Sequence, residues 1–110
     1  MATSKEYCDY VLECLSRVGS VHVRKMMGEY CLYSGGKVIG LICDNTLYLK
    51  QTPTTVRLLP NAPQGYPYEG SKTLMHIVED AEDAETMGAV LAALVEEHPE
   101  PVPKKKGRLS

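Results

Sequence analysis

The chain has 110 residues, enough for one domain around one core. It is 44% hydrophobic, with seven Tyr but no Phe or Trp, so its core must draw on Leu, Val, Ile, Met and Tyr. No apolar run approaches bilayer length, which excludes a membrane-spanning helix. The net charge of −2 is unevenly spread. Residues 1–98 carry 8 basic and 13 acidic side chains, giving −5; residues 99–110 carry 4 and 1, giving +3. The body repels nucleic acid at long range and the tail attracts it. Met1–Glu6 has no basic stretch leading into an apolar one, and Cys8, Cys14, Cys31 and Cys43 include no CxxC pair. Both features point to a cytoplasmic protein with reduced thiols.

The first helix is expected from Ser4 to Val18, with Thr3 and Glu6 at capping-box spacing and Tyr7, Val11, Cys14, Leu15 and Val18 on one face. Gly19 ends it. The pattern then turns to strands at Val21–Met27, Tyr30–Tyr33, Val38–Cys43 and Thr46–Lys50; Gly28 breaks the first from the second and permits a bulge or kink there, and short turns lie at Ser34–Lys37 and Asp44–Asn45. Thr52 caps a short helix that opens with Pro53 and ends by Pro60. A loop rich in Pro, Gly and Tyr covers 61–72, followed by a last strand at Thr73–Val78. Asp80 or Asp83 caps a final helix that buries Met87, Val90, Leu91, Leu94 and Val95 and reaches Glu97. The result is a two-layer α+β domain over residues 1–98. It has an antiparallel sheet of about five strands and N-terminal, short central and C-terminal helices. Residues 99–110 form a Pro- and Lys-rich tail, expected to be flexible.

With Asp44–Asn45 as a two-residue turn, Ile42 faces Leu47 and Gly40 faces Leu49. Strict alternation then groups Val38, Gly40 and Ile42 on one face, and Ile39, Leu41 and Cys43 with Tyr48 and Lys50 on the other. Both faces are apolar, and one helix layer covers only one of them. The second is left to the chain's other helix, to loop 60–72 or to a second subunit, as in a homodimer.

Signatures of phosphate-binding loops, hydrolase nucleophile elbows and zinc-binding helices are absent. Gly35–Gly36 is explained by hairpin geometry. His22, His76 and His98 lie on three separate elements, and Cys31 and Cys43 fall on opposite faces when Ser34 pairs with Lys37; one extra residue would bring them together. No metal site, cofactor site or catalytic residue is expected. Glu29 has Arg24, Lys25 and Lys37 as nearby cations. Arg24 and Lys25 are adjacent, so a regular strand points them to opposite sides. His98, near the last carbonyls of the final helix, suits a helix C-terminus. Lys104, Lys105, Lys106 and Arg108 put four positive charges on an arm suited to phosphate contacts that read no sequence.

The run Arg24-Lys25-Met26-Met27-Gly28-Glu29-Tyr30, followed by Leu32-Tyr33, Gly36-Lys37, Leu41, Asp44 and Leu47-Tyr48-Leu49-Lys50, resembles the N-terminal domain of the TfoX/Sxy family, named for bacterial regulators of natural competence. Tyr68-Glu69-Gly70-Ser71-Lys72 resembles that family's Tyr-Pro-Gly-Ala-Lys loop, and Met75–Val78 its following strand. The resemblance spans about residues 5–98. Met27 stands in place of a common Phe and His76 in place of a frequent Tyr. The resemblance implies a two-layer α+β fold and a role in transcription regulation through a protein partner. It attaches no catalytic role to residues 24–30. Full competence regulators carry a second, C-terminal domain, and the chain is expected to stand as the first domain alone.

The candidate interaction residues are Arg24, Lys25, Glu29, Lys37, Lys50, Tyr66, Tyr68 and Lys72, with Gly28, Gly36 and Gly70 as scaffold positions. The leading expectation is a non-catalytic module that binds a transcription-related protein through a sheet face or the 61–72 loop. One alternative is a low-specificity nucleic-acid binder that uses the tail and sheet-edge lysines. Another is a ligand pocket or small enzyme under loop 61–72, built from Tyr66, Tyr68 and His76.

Overall fold

In the computed structural model, which describes residues 3–97, the elements run α1 (Lys5–Ser16), β1 (His22–Met26), β2 (Glu29–Ser34), β3 (Lys37–Cys43), β4 (Thr46–Leu49), α2 (Pro53–Leu58), β5 (Gln64–Gly65), β6 (Met75–Val78) and α3 (Ala84–Glu96). The strands form one antiparallel sheet in the order β1-β2-β3-β4-β6-β5. The architecture is the expected α+β one with a strand added. β5 is two residues long and lies in the Pro- and Gly-rich stretch, too short to show an alternating pattern.

Three two-residue turns build the meander β1–β4. Met27 and Gly28 have φ of 51° and 88°, Gly35 and Gly36 of 60° and 77°, and Asp44 and Asn45 of 52° and 54°. Positive φ at both central positions matches the twist of the flanking strands. Gly28 is therefore a hairpin residue and not the bulge or kink that the sequence suggested.

The bulge lies elsewhere. Tyr30 pairs with Ile42, Cys31 with Leu41 and Leu32 with Gly40, but Tyr33 pairs with Val38, so Ile39 and Gly40 together oppose Leu32. The Lys50 amide donates to the Ile39 carbonyl at 2.9 Å. The extra residue reverses the alternation of everything before it in β3. Ile39, expected on the outer face, is fully buried among the core residues, and Val38 takes its place outside beside Tyr33. Gly40 fits because a Cβ there would collide with the Tyr48 carbonyl and sit 2.9 Å from Leu49 Cδ2. The pairings expected for the next hairpin, Ile42 with Leu47 and Gly40 with Leu49, are present.

α1 and α3 cover one face of the sheet. Val11 and Leu15 of α1 and Met87, Val90, Leu91 and Leu94 of α3 meet Leu32, Ile39, Ile42, Leu47, Leu49 and Val78 in one continuous core. Each fully buried aliphatic side chain is worth about 1.5–3 kcal/mol relative to an exposed one. Ser4, not Thr3, caps α1, accepting from the Tyr7 amide at 3.1 Å. Asp83 caps α3 and accepts from the Thr86 amide at 3.2 Å. Thr52 and Thr55 form a reciprocal box at the start of α2, with the Thr52 amide 2.8 Å from Thr55 Oγ1 and the Thr55 amide 3.1 Å from Thr52 Oγ1.

That box also meets the one buried histidine among the described residues. His76 is 1% exposed, its Nε2 lies 3.0 Å from Thr55 Oγ1, and its Nδ1 has no partner. Burial lowers its pKa from the ordinary value, so folding favours the neutral ring. The unfolded chain takes up this proton more readily than the folded one. The stability that depends on the neutral ring is therefore complete above the unfolded pKa of about 6.5 and declines as pH falls below it. Urea midpoints should fall between pH 7.5 and 5.5, and His76→Asn should flatten that slope. An unchanged slope in the variant would show that His76 is not its source.

Candidate functional site: the outer face of the sheet

With the helices on the inner face, strand register decides what the outer face displays. One row crosses five strands as Arg24, Cys31, Leu41, Tyr48 and Ile77. The adjacent row begins His22, Tyr33, Val38. The rings of His22 and Tyr33 stack there with centroids 5.2 Å apart and planes 4° from parallel. The segment after β5 folds over the far end of this row. Pro67 is buried, and Tyr68, Ser71 and Thr73 join Val38, Leu41, Lys50 and Met75 around a dimple of about 110 Å³. Gly70, at φ 91°, makes the turn that closes this flap, with the Ser71 amide donating to the Tyr68 carbonyl at 3.1 Å.

The flap meets the expected need for a cover only in part. Cys31, Cys43 and Met75 are buried, but Tyr33, Val38, Leu41, Tyr48 and Ile77 are only partly so. Tyr66, Tyr68 and Leu74 are 55%, 59% and 38% exposed, and Met26 and Met27 extend the apolar surface past the end of β1.

Charge divides between the two layers. The two ion pairs among the described residues both lie on α1 or its end, Lys5 with Asp9 at 2.8 Å and Arg17 with Glu13 at 3.4 Å. Of the carboxylates, Glu6, Asp9 and Glu13 sit on α1, and Glu79, Asp80, Glu82, Asp83, Glu85, Glu96 and Glu97 cluster on α3 and its two ends, while Glu29 and Asp44 lie at hairpin turns and Glu69 on the flap. Arg24 projects from the outer face, Lys50 borders the dimple, and Lys72 lies exposed in the flap between the lining residues Ser71 and Thr73. None of these three has an ion-pair partner among the described residues. The other candidates fall elsewhere. Lys25 pairs across from Tyr30 and so points to the inner side, as its adjacency to Arg24 requires. Lys37 donates to the Val95 carbonyl at 3.3 Å, near the end of α3. Gly36 occupies the β2–β3 turn.

Glu29 pairs with none of the nearby cations. Its Oε1 accepts from the Thr3 amide at 3.0 Å, the Thr3 hydroxyl at 2.6 Å and the Asp44 amide at 3.2 Å. Thr3 adds an amide bond to the Gly28 carbonyl at 3.2 Å, and its hydroxyl accepts from the Asn45 amide at 3.2 Å. One carboxylate thus ties the chain before α1 to two hairpin turns.

The structure also places the other groups that the sequence raised. Because of the bulge, Cys31 and Cys43 share the outer face, yet among the described residues no three His, Cys, Asp or Glu side chains are grouped to hold a metal. Burial foremost, then Glu29, pushes the Cys43 thiol up to about 11, where it is protonated and a poor nucleophile. Tyr68 faces outward while His76 faces inward toward Thr55, so Tyr66, Tyr68 and His76 build no common pocket. Among the described residues no helix is long and apolar enough to cross a membrane. His98, Lys104, Lys105, Lys106 and Arg108, like the whole 99–110 tail, lie outside the described residues.

Residues 13–97 match the model of the TfoX N-terminal domain. The chain belongs to that family. It is also 35% identical over 108 residues to an uncharacterised 12.7 kDa protein in the trpE 5′ region of Spirochaeta aurantia, covering 96% of this chain and 91% of the relative. In this TfoX N-terminal domain, the segment 24–30 contributes Arg24 to the outer face and Glu29 to the clamp at the end of the sheet. Leu41, Tyr48 and Lys50 lie on the outer face as strict alternation expected, whereas Val38 and Ile77 were not foreseen there, although a glycine inside a strand, Gly40, is itself a signal for a bulge.

Glu29→Ala should cost about 2 kcal/mol in urea unfolding, because it leaves partly buried donors without an acceptor. Glu29→Gln keeps an acceptor oxygen and should cost less. Thr3→Val combined with Glu29→Ala should cost less than the two single changes summed; additive losses would mean that the residues act independently.

Proposed function

We propose that this TfoX N-terminal domain is a non-catalytic regulatory module that binds a transcription-related protein partner through the outer face of its sheet. The observation that carries this reading is the half-covered apolar face itself, bordered by three unpaired cations while most carboxylates lie with the helices. Water-exposed aromatic and aliphatic groups in one continuous patch favour association, and the charges at its margin orient the partner. Pro67, Tyr68, Ser71 and Thr73 of the flap form one wall of the surface, and the clamp at Glu29 holds one end of the sheet in shape. The family's link to competence regulators supplies the transcriptional setting of this reading.

Affinity capture from cell extract tests it, using the full chain, a 1–98 truncation and the double variant Lys50→Glu/Tyr68→Ala, each with and without nuclease. A stoichiometric protein should survive nuclease and truncation and be lost from the double variant, whose circular dichroism should match the parent. Recovery of nucleic acid alone, disappearing with residues 99–110, would replace this reading with binding driven by the basic tail.

A further inference from the structure

Resting on the outer-face reading, we propose that the partner presents an acidic segment with an aliphatic anchor: one Leu, Ile or Met side chain enters the dimple beside Val38 and Leu41, and flanking carboxylates meet Lys50, Lys72 and Arg24. Three observations select this occupant. The dimple of about 110 Å³ has the bulk of a single aliphatic side chain, and Met75 forms part of its lining. Such a site takes one buried anchor surrounded by contacts that exclude water. Lys50 is partly buried beside it, so a carboxylate arriving there meets a cation with no ion-pair partner among the described residues. Arg24 extends the same sign along the row, and the flap carries one cation, Lys72, and one carboxylate, Glu69.

Charge also decides against the other occupants. A second copy docking face to face would set Arg24, Lys50 and Lys72 against another cationic face, at a cost in like-charge repulsion. Nucleic acid would match the cations, but the aliphatic residues Val38, Leu41 and Ile77 offer a phosphate backbone nothing, and the 13 acidic side chains of residues 1–98 oppose its approach. An acidic peptide carrying an aliphatic side chain satisfies both the charges and the dimple.

The test is fluorescence anisotropy of the full chain with three labelled probes: a 15-residue peptide of Glu, Ala and spaced Leu, its counterpart with Lys in place of Glu, and oligothymidylate. The Glu peptide should bind saturably and the Lys peptide at least tenfold more weakly. Lys50→Glu should weaken the Glu peptide about tenfold. Tyr68→Ala, at an exposed position that leaves the core intact, should weaken it severalfold. Equal binding of both peptides, or binding indifferent to both variants, would overturn the proposal. So would oligothymidylate binding that is lost in Lys50→Glu, or dimerisation in ultracentrifugation abolished by the same change. If capture from extract depends on the outer face while the Glu peptide fails to bind, the outer-face reading stands and the acidic-anchor proposal falls.

Discussion

The extra residue at Ile39 is the constraint on which the two faces of this domain depend. It places two consecutive residues of β3 opposite Leu32 and thereby sends Ile39 into the core and Val38 out of it. Without it, β3 would present the opposite alternation on its first half. Val38 would lie inside, and Cys31 and Cys43 would point to different faces. The bulge needs a residue without a side chain at Gly40, where the β4 backbone passes too closely for a Cβ. The bond from the Lys50 amide to the Ile39 carbonyl fixes Lys50 next to the bulge, at the border of the dimple. Core packing and the candidate docking surface therefore follow from one backbone irregularity.

At the other end of the sheet, the carboxylate of Glu29 plays a comparable organising part. It collects donors from the chain before α1 and from the β3–β4 turn, two places far apart in sequence. A salt bridge to Arg24 or Lys25 would have satisfied the same carboxylate locally. The observed arrangement leaves Arg24 unpaired, and this positive charge helps define the character of the outer face. The stability of the scaffold and the electrostatics of the surface are thus linked through one residue of the family segment.

Much of this was legible in the sequence because it is written in local patterns. The 3.6-residue periodicity gave α1 and α3, and Thr52-Pro53 gave the start of α2. The Asp44–Asn45 turn fixed the pairing of Ile42 with Leu47. Non-local features were not legible. Thr3 has the spacing of a cap, but it serves a carboxylate 26 residues away, and Ser4 caps the helix instead. The two residues of β5 acquire strand geometry only by pairing with β6. The expectation of a kink at Gly28 had the right physics at the wrong glycine, because a flanking strand residue and a hairpin residue both call for backbone freedom. Scattered lysines could not be sorted by sequence alone; register and the fold of the flap divide Lys50 and Lys72 from Lys25 and Lys37.

The tyrosines offer a direct reading of which layer meets a partner. Tyr68 lines the dimple of the outer face and Tyr66 stands exposed where the flap begins, while Tyr10, 39% exposed on α1, reports on the helical layer. Radical footprinting would compare oxidation of these side chains in the purified chain and in concentrated cell extract. If the outer face is the docking surface, Tyr66 and Tyr68 lose reactivity severalfold relative to Tyr10 in extract. Protection of Tyr10 with Tyr66 and Tyr68 unchanged would place the interaction on the helices and contradict the account.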